Sequence, residues 1–249
     1  MSRLGVQELD LTGRRVLTRV DFNVPLDADR QITDDTRIRA ALATLRLMLD
    51  AGARPVVMSH LGRPGGEAKA EFSLAPVAVR LEELLGQRVH FAPDCVGAAA
   101  EAAVEKARTG EVVLLENLRF HAGETKNDPE FARQLAALGD VYVNDAFGTA
   151  HRAHASTAGV TVHFDQCAAG LLMGQELERL GGVLAHPRRP FVAILGGAKV
   201  SGKIEVVDNL VDTVDSILIG GGMAFTFFRA MGLDVGESLV EDALVDRVK

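Results

Sequence analysis

Tryptophan is absent from these 249 residues, tyrosine occurs once and cysteine twice. With aromatics at only 5% of the chain, an aromatic-rich β-sandwich is disfavoured. An apolar content carried by Ala, Val and Leu suits layered parallel α/β structure instead. Cys95 and Cys167 stand far apart and in no metal-ligand spacing, so free thiols in a reducing cytosol are expected. No apolar run is long enough to span a bilayer, and Met1 to Glu8 lacks the apolar centre of a signal peptide. Net positive charge is lacking too: the formal balance is −7, which argues against nucleic acid and anionic membrane as partners. A soluble, cytoplasmic protein is expected, and any cluster of cations in it must be local and built for a small anion.

What is present is a chain long enough for a sizeable core and more than one domain. Arg14 to Pro25 reads as a strand with two unlike faces. Val16, Thr18, Val20 and Phe22 share one side, and Arg19, Asp21 and Asn23 the other. Pro25 stops the ladder, leaving polar groups at the carboxyl end, where open α/β sheets bind ligands. Taken alone, that face is more simply the solvated side of an edge strand. The pattern recurs, however. Pro55 to Ser59 runs into His60-Leu61-Gly62-Arg63-Pro64-Gly65-Gly66, Glu111 to Leu115 into Glu116 to His121, and Asp140 to Val143 into Asn144 to His154. Arg88 to Phe91 is a further strand. Helices are predicted between them: one after Thr33-Asp34-Asp35 through Ile38, Leu42, Leu45 and Leu49, and one capped by Ser73. A third is capped by Asp94 and runs to Gly110, and a fourth begins at Asp128-Pro129. The alternation predicts an α/β fold, a parallel sheet with helices on both faces in the Rossmann-like manner.

Each of these strand-end loops carries Arg or His. Singly, His60 or Arg119 is more simply a packing or salt-bridge residue. Arg37, in a helix's first turn, gains nothing from the helix dipole. It either pairs with Asp34 or Asp35 or faces an anion. Together, Arg37, His60, Arg63, Arg119 and Arg152 are predicted to form a pocket for a small, multiply charged anion, which the planar arginine fork suits.

Gln166 to Leu184 is predicted helical, with a boundary at His186-Pro187-Arg188-Arg189-Pro190. The expected organisation is a first domain over 1–172, a linker helix over 173–189 and a second α/β unit over 190–249. That unit opens with the strand Phe191 to Leu195 and turns through Gly196 to Lys203 into a helix bearing Ile204, Val207, Leu210, Val211 and Val214. A further strand, Ser216 to Ile219, ends in Gly220-Gly221-Gly222. The turn Gly197 to Lys203 has the spacing of a phosphate loop, but Ile204 stands where that motif needs Ser or Thr for Mg²⁺. It is open whether the turn is a weak P-loop, a tight turn needing glycine for backbone reasons, or a helix N-terminus that draws phosphate with Lys199 and Lys203.

Arg19-Val20-Asp21-Phe22-Asn23-Val24-Pro25, Ser59 to Pro64, Glu116 to Phe120, Asp145 to His154, Gly196 to Val200 and Gly220 to Phe225 together resemble the phosphoglycerate kinase family, in family order and over nearly the whole chain. The resemblance implies a first domain binding 3-phosphoglycerate or 1,3-bisphosphoglycerate. It implies a second binding ADP or ATP with Mg²⁺, and no metal held by protein ligands. Asp21 and Asn23 would contact the glycerate, and His60, Arg63, Arg119 and Arg152 would hold the phosphate that is not transferred. Arg37 from the triose side and Lys199 from the nucleotide side would meet the transferring group. Lys203 would meet the nucleotide phosphates, with Gly197, Ala198, Gly221 and Gly222 lining that site. The family's later glycine-rich loop and terminal segment have no counterpart here, so the second domain is expected to be truncated. The resemblance further implies closure about the linker helix, a monomer at full length, and triose binding without turnover by this chain alone. A non-catalytic anion-binding module and an NTPase acting at Gly197 to Lys203 are the competing expectations.

Overall fold

The computed structural model describes residues 4–185 and 187–249; His186, expected in the proline-rich stop, lies outside them. The chain divides into two compact units, Met1–Leu177 and Glu178–Lys249. Among the described residues the first unit holds six parallel strands: β1 (Arg15–Arg19), β2 (Arg54–Met58), β3 (Val89–Ala92), β4 (Val112–Leu115), β5 (Val141–Asn144) and β6 (Cys167–Ala169). Their order is β3-β4-β2-β1-β5-β6. β1 is central and buried on both faces, by Val16 and Thr18 on one and Leu17 and Arg19 on the other. Val16 pairs with Pro55 on one side and Val141 on the other.

Helices cover both faces. On one, α1 (Thr36–Asp50) and α2 (Ala75–Leu85) set Ile38, Leu42, Leu45, Val77 and Leu81 against Val16, Val20 and Phe22. On the other, α3 (Gly97–Lys106) and α5 (Pro129–Ala136), with the single turn α4 (Ala122–Thr125) before α5, bring Ala100, Val104, Phe131 and Leu135 onto Leu17, Val56 and Leu115. Each large apolar side chain buried this way contributes about 1.5–3 kcal/mol. From β1 the chain fills one flank, with β2 next to it, then β3 at the edge and β4 between them, and only then returns to add β5 and β6 on the other flank. The crevice at the carboxyl ends of β1 and β5 is therefore the topological switch point.

Several expectations are corrected. β1 ends at Arg19 rather than Pro25, because side chains take over the ladder's work. Phe22 N donates to Ser59 Oγ at 2.8 Å and Asn23 N to Asp21 Oδ1 at 3.1 Å. Asp94 does not cap α3, which starts at Gly97 and stops at Lys106; its Oδ1 instead accepts from Cys95 N and His121 Nε2. Cys167–Ala169 is strand, not helix. It finds an open edge on β5, and α7 (Leu171–Ala185) begins only after Gly170, following the turn α6 (Phe147–Ala150). Asp128 caps α5 as expected, accepting from Phe131 N at 2.8 Å.

In the second unit, β7 (Val192–Gly196) and β8 (Ser216–Gly220) pair in parallel, joined by α8 (Ile204–Val211), with α9 (Ala224–Ala230) following. Its buried cluster is small: Val200, Ile204 and Met223. One sheet face leaves Val192, Ile194 and Leu218 exposed. No helix among the described residues is long and apolar enough to cross a membrane.

Candidate anion-binding site

The loops after β2, β4 and β5 converge. Arg63, Arg119 and Arg152 line one cleft of about 570 Å³ with Gly65, Gly66, His121, Lys126 and His154. None of the three arginines forms a salt bridge among the described residues, and Arg119 Nε is buried without a hydrogen-bond partner. Burial, followed by repulsion from Arg152, Arg19 and Arg63, pushes the Arg119 guanidinium below its ordinary range. Such uncompensated charge is costly unless an anion arrives to meet it. A larger concavity, about 1030 Å³, lies between the loop before α1 and α2, but two of its three arginines are already paired with carboxylates. Asp35 pairs with Arg39 and with Arg80, each at 2.8 Å, and Arg80 pairs with Glu83 at 2.6 Å. Size alone therefore misidentifies the site.

His60 is buried beside this cleft. Arg19 Nη2 donates to its Nδ1 at 3.0 Å, which places the ring's proton on Nε2. Burial first, then the charges of Arg19, Arg119, Arg152 and Arg37, lower its pKa to about 2. His60 is thus a neutral hydrogen-bond donor, not an acid–base group. Arg19, fully buried, also donates through Nε to Ser156 Oγ at 2.9 Å and to the carbonyl of Val20. The Ser156 hydroxyl in turn donates a hydrogen bond to buried Glu124 at 2.6 Å. Burial pushes the Glu124 carboxyl up, but His154, Arg19 and the Ser156 hydrogen bonds outweigh it and hold the group below its usual range.

Asn23 reaches the same region. Its Oδ1 accepts from Gly62 N at 2.8 Å, while Gly62 O accepts from Arg119 Nη1 at 2.7 Å. Arg37 is placed differently. Its partner is neither Asp34 nor Asp35 but Asp21, at 2.9 Å, and both line a second recess with Asp145, Phe147 and Gly148 at the switch point. Burial pushes the Asp145 carboxyl up, and Oδ2 lacks a partner. Arg19 was expected on the polar face of its strand with Asp21 and Asn23, but not as a partner of His60; Glu124, His121 and Lys126 were not singled out from the sequence. Of these three, His121 carried a local signal, two residues beyond Arg119.

In the second unit, Lys199 is exposed and the Lys203 side chain lies across Gly197. The turn's amides are not open: Val200 N and Ser201 N both donate to the Glu241 carboxylate. This removes much of the backbone cradle that the phosphate-loop reading requires. Gly221 and Gly222 have a packing reason to be glycine, since an added Cβ would stand 2.9 Å from Gly197 O and 3.0 Å from Ala198 O. Two lysines fit a nucleotide phosphate by charge. Among the described residues, no group of three carboxylate, imidazole or thiol side chains in this unit is placed to hold a metal.

A family model described as phosphoglycerate kinase matches residues 6–249. Phosphoglycerate kinase of Moorella thermoacetica is 61% identical over 242 residues, covering 97% of this chain and 61% of that protein. The Chlorobium phaeobacteroides protein of the same name is 56% identical over 246 residues, covering 99% and 62%. The solved structure of phosphoglycerate kinase from Coxiella burnetii superposes with a TM-score of 0.86 at 41% identity, over 99% of this chain and 62% of that one. The chain thus spans a little over three fifths of the length of the relatives it matches.

Proposed function

The chain belongs to the phosphoglycerate kinase family, and from that membership we propose that it serves phosphoryl transfer between 1,3-bisphosphoglycerate and ADP, giving 3-phosphoglycerate and ATP. The observation that carries this reading is the cleft of Arg63, Arg119 and Arg152, none of which forms a salt bridge among the described residues. In the proposal these arginines and the neutral His60 hold the phosphate that stays on the triose. Asp21 and Asn23 orient the glycerate. Arg37 faces the transferring group from the triose side, where its salt bridge to Asp21 can be exchanged for a phosphoryl oxygen.

Lys199 meets that group from the nucleotide side. Lys203, Gly197, Ala198, Gly221 and Gly222 serve the nucleotide. Mg²⁺, carried on the nucleotide's own phosphates, supplies charge neutralisation there. No general base is required, because the acceptor carboxylate is already ionised. Catalysis then rests on positioning and on donors aimed at spread-out negative charge, each worth about 2.7–4 kcal/mol of barrier. On this reading the protein acts in the cytoplasm and as a monomer.

Calorimetry tests the proposal on the 249-residue chain itself. Saturable binding of 3-phosphoglycerate is expected, with negligible turnover of Mg-ADP and 1,3-bisphosphoglycerate. Arg119→Ala should weaken binding by at least about tenfold, since a hydrogen bond to a charged group contributes about 1.5–3 kcal/mol. No heat, or equal affinity in the variant, contradicts the reading.

A further inference from the structure

A second group of ligand-bearing side chains meets where the β3–α3 loop approaches the segment before α4. Asp94 Oδ1 accepts from His121 Nε2 at 2.7 Å, and one donor atom each from Asp94, Cys95 and His121 lies within 4.8 Å of the other two. The framework is held in place. His121 stacks on Phe131 with ring centroids 5.1 Å apart, and Asp94 Oδ1 also accepts from Cys95 N at 2.6 Å. The Cys95 thiol is fully buried, aimed into this group, and makes no hydrogen bond among the described residues.

We propose that Asp94, Cys95 and His121 form a binding site for a divalent cation of the zinc class. Thiolate, imidazole and carboxylate together match zinc's preferences, whereas Mg²⁺ prefers an all-oxygen shell. Tetrahedral zinc with bonds of about 2.0–2.3 Å brings its donors roughly 3.3–3.8 Å apart. The group needs to contract around sulfur and open slightly between Asp94 and His121. On binding, the Asp94–His121 hydrogen bond breaks, the ring proton shifts to Nδ1, and the thiol proton passes to solvent. Asp94 and His121 are each partly exposed, which leaves water free to fill the fourth position. His121 also lines the arginine cleft, two residues from Arg119 and three before Glu124, so occupancy would pin that segment. The cysteine spacing gave no hint of this site because its histidine comes from a different loop.

The test uses the intact 249-residue chain without any triose. Titration with Co²⁺ should give one equivalent of binding with thiolate-to-cobalt charge-transfer absorption, displaced by Zn²⁺ but not by Mg²⁺. Cys167→Ser should retain the signal and Cys95→Ser should abolish it. His121→Asn and Asp94→Asn, at partly exposed positions that leave the core packed, should weaken binding by more than about tenfold, the least that even an outer-shell partner costs. Absence of the absorption in the unaltered chain, its survival in Cys95→Ser, or unchanged affinity in both His121→Asn and Asp94→Asn overturns the proposal. None of these readouts depends on phosphoglycerate binding.

Discussion

His60 shows what one buried side chain can report. In the folded protein its pKa lies at about 2, against an ordinary value of 6.5. Below 6.5 the unfolded chain therefore binds one more proton than the folded chain at this position. The stabilising contribution is complete above 6.5 and is lost as pH falls from 6.5 toward 2, at about 1.4 kcal/mol per pH unit. His60→Gln keeps an acceptor for Arg19 but removes the titration. Urea unfolding between about pH 6 and pH 4 should show a slope smaller by one proton in the variant, and identical slopes would contradict the assignment. Arg37 makes a contrasting case. Its bond to Asp21 is half-exposed, so Arg37→Ala should change the unfolding free energy by less than about 1 kcal/mol in the same assay. A larger loss would mean that Arg37 carries structural load as well.

At the scale of elements, the strand-end loops were legible in the sequence because period-two burial and polar termini are local signals. The residues those loops bring together were only partly so. Arg63, Arg119 and Arg152 could be grouped from their positions after successive strands. Arg19 could not, because nothing local tells that a strand's last polar side chain turns inward to meet Ser156 and His60. Nor could β6 be read. Three small residues carry almost no strand propensity, and it is the unpaired edge of β5 that makes them a strand. A packing reason for glycine at 221 could not be read either, since contact with Gly197 is nonlocal. That position has φ of +70° as well as the close carbonyl. Gly221→Ala is therefore expected to destabilise the second unit by about 1–3 kcal/mol, seen as a lower melting temperature. An unchanged melt would show that the Gly197 loop yields freely.

At the scale of the molecule, the two units differ in how much they bury. The first has apolar clusters on both faces of a six-stranded sheet, whereas the second, among the described residues, has one buried cluster of three and an exposed strand face. Hydrogen exchange should accordingly be slowest in β1 and β2 and markedly faster in β7 and β8. The same experiment, repeated with saturating 3-phosphoglycerate, tests the arginine cleft most directly. Added protection is predicted at Gly62 to Gly66, Leu118 to Lys126 and Arg152 to Thr157. Protection confined to the larger concavity around Asp29 to Asp35, or no protection at all, would contradict it.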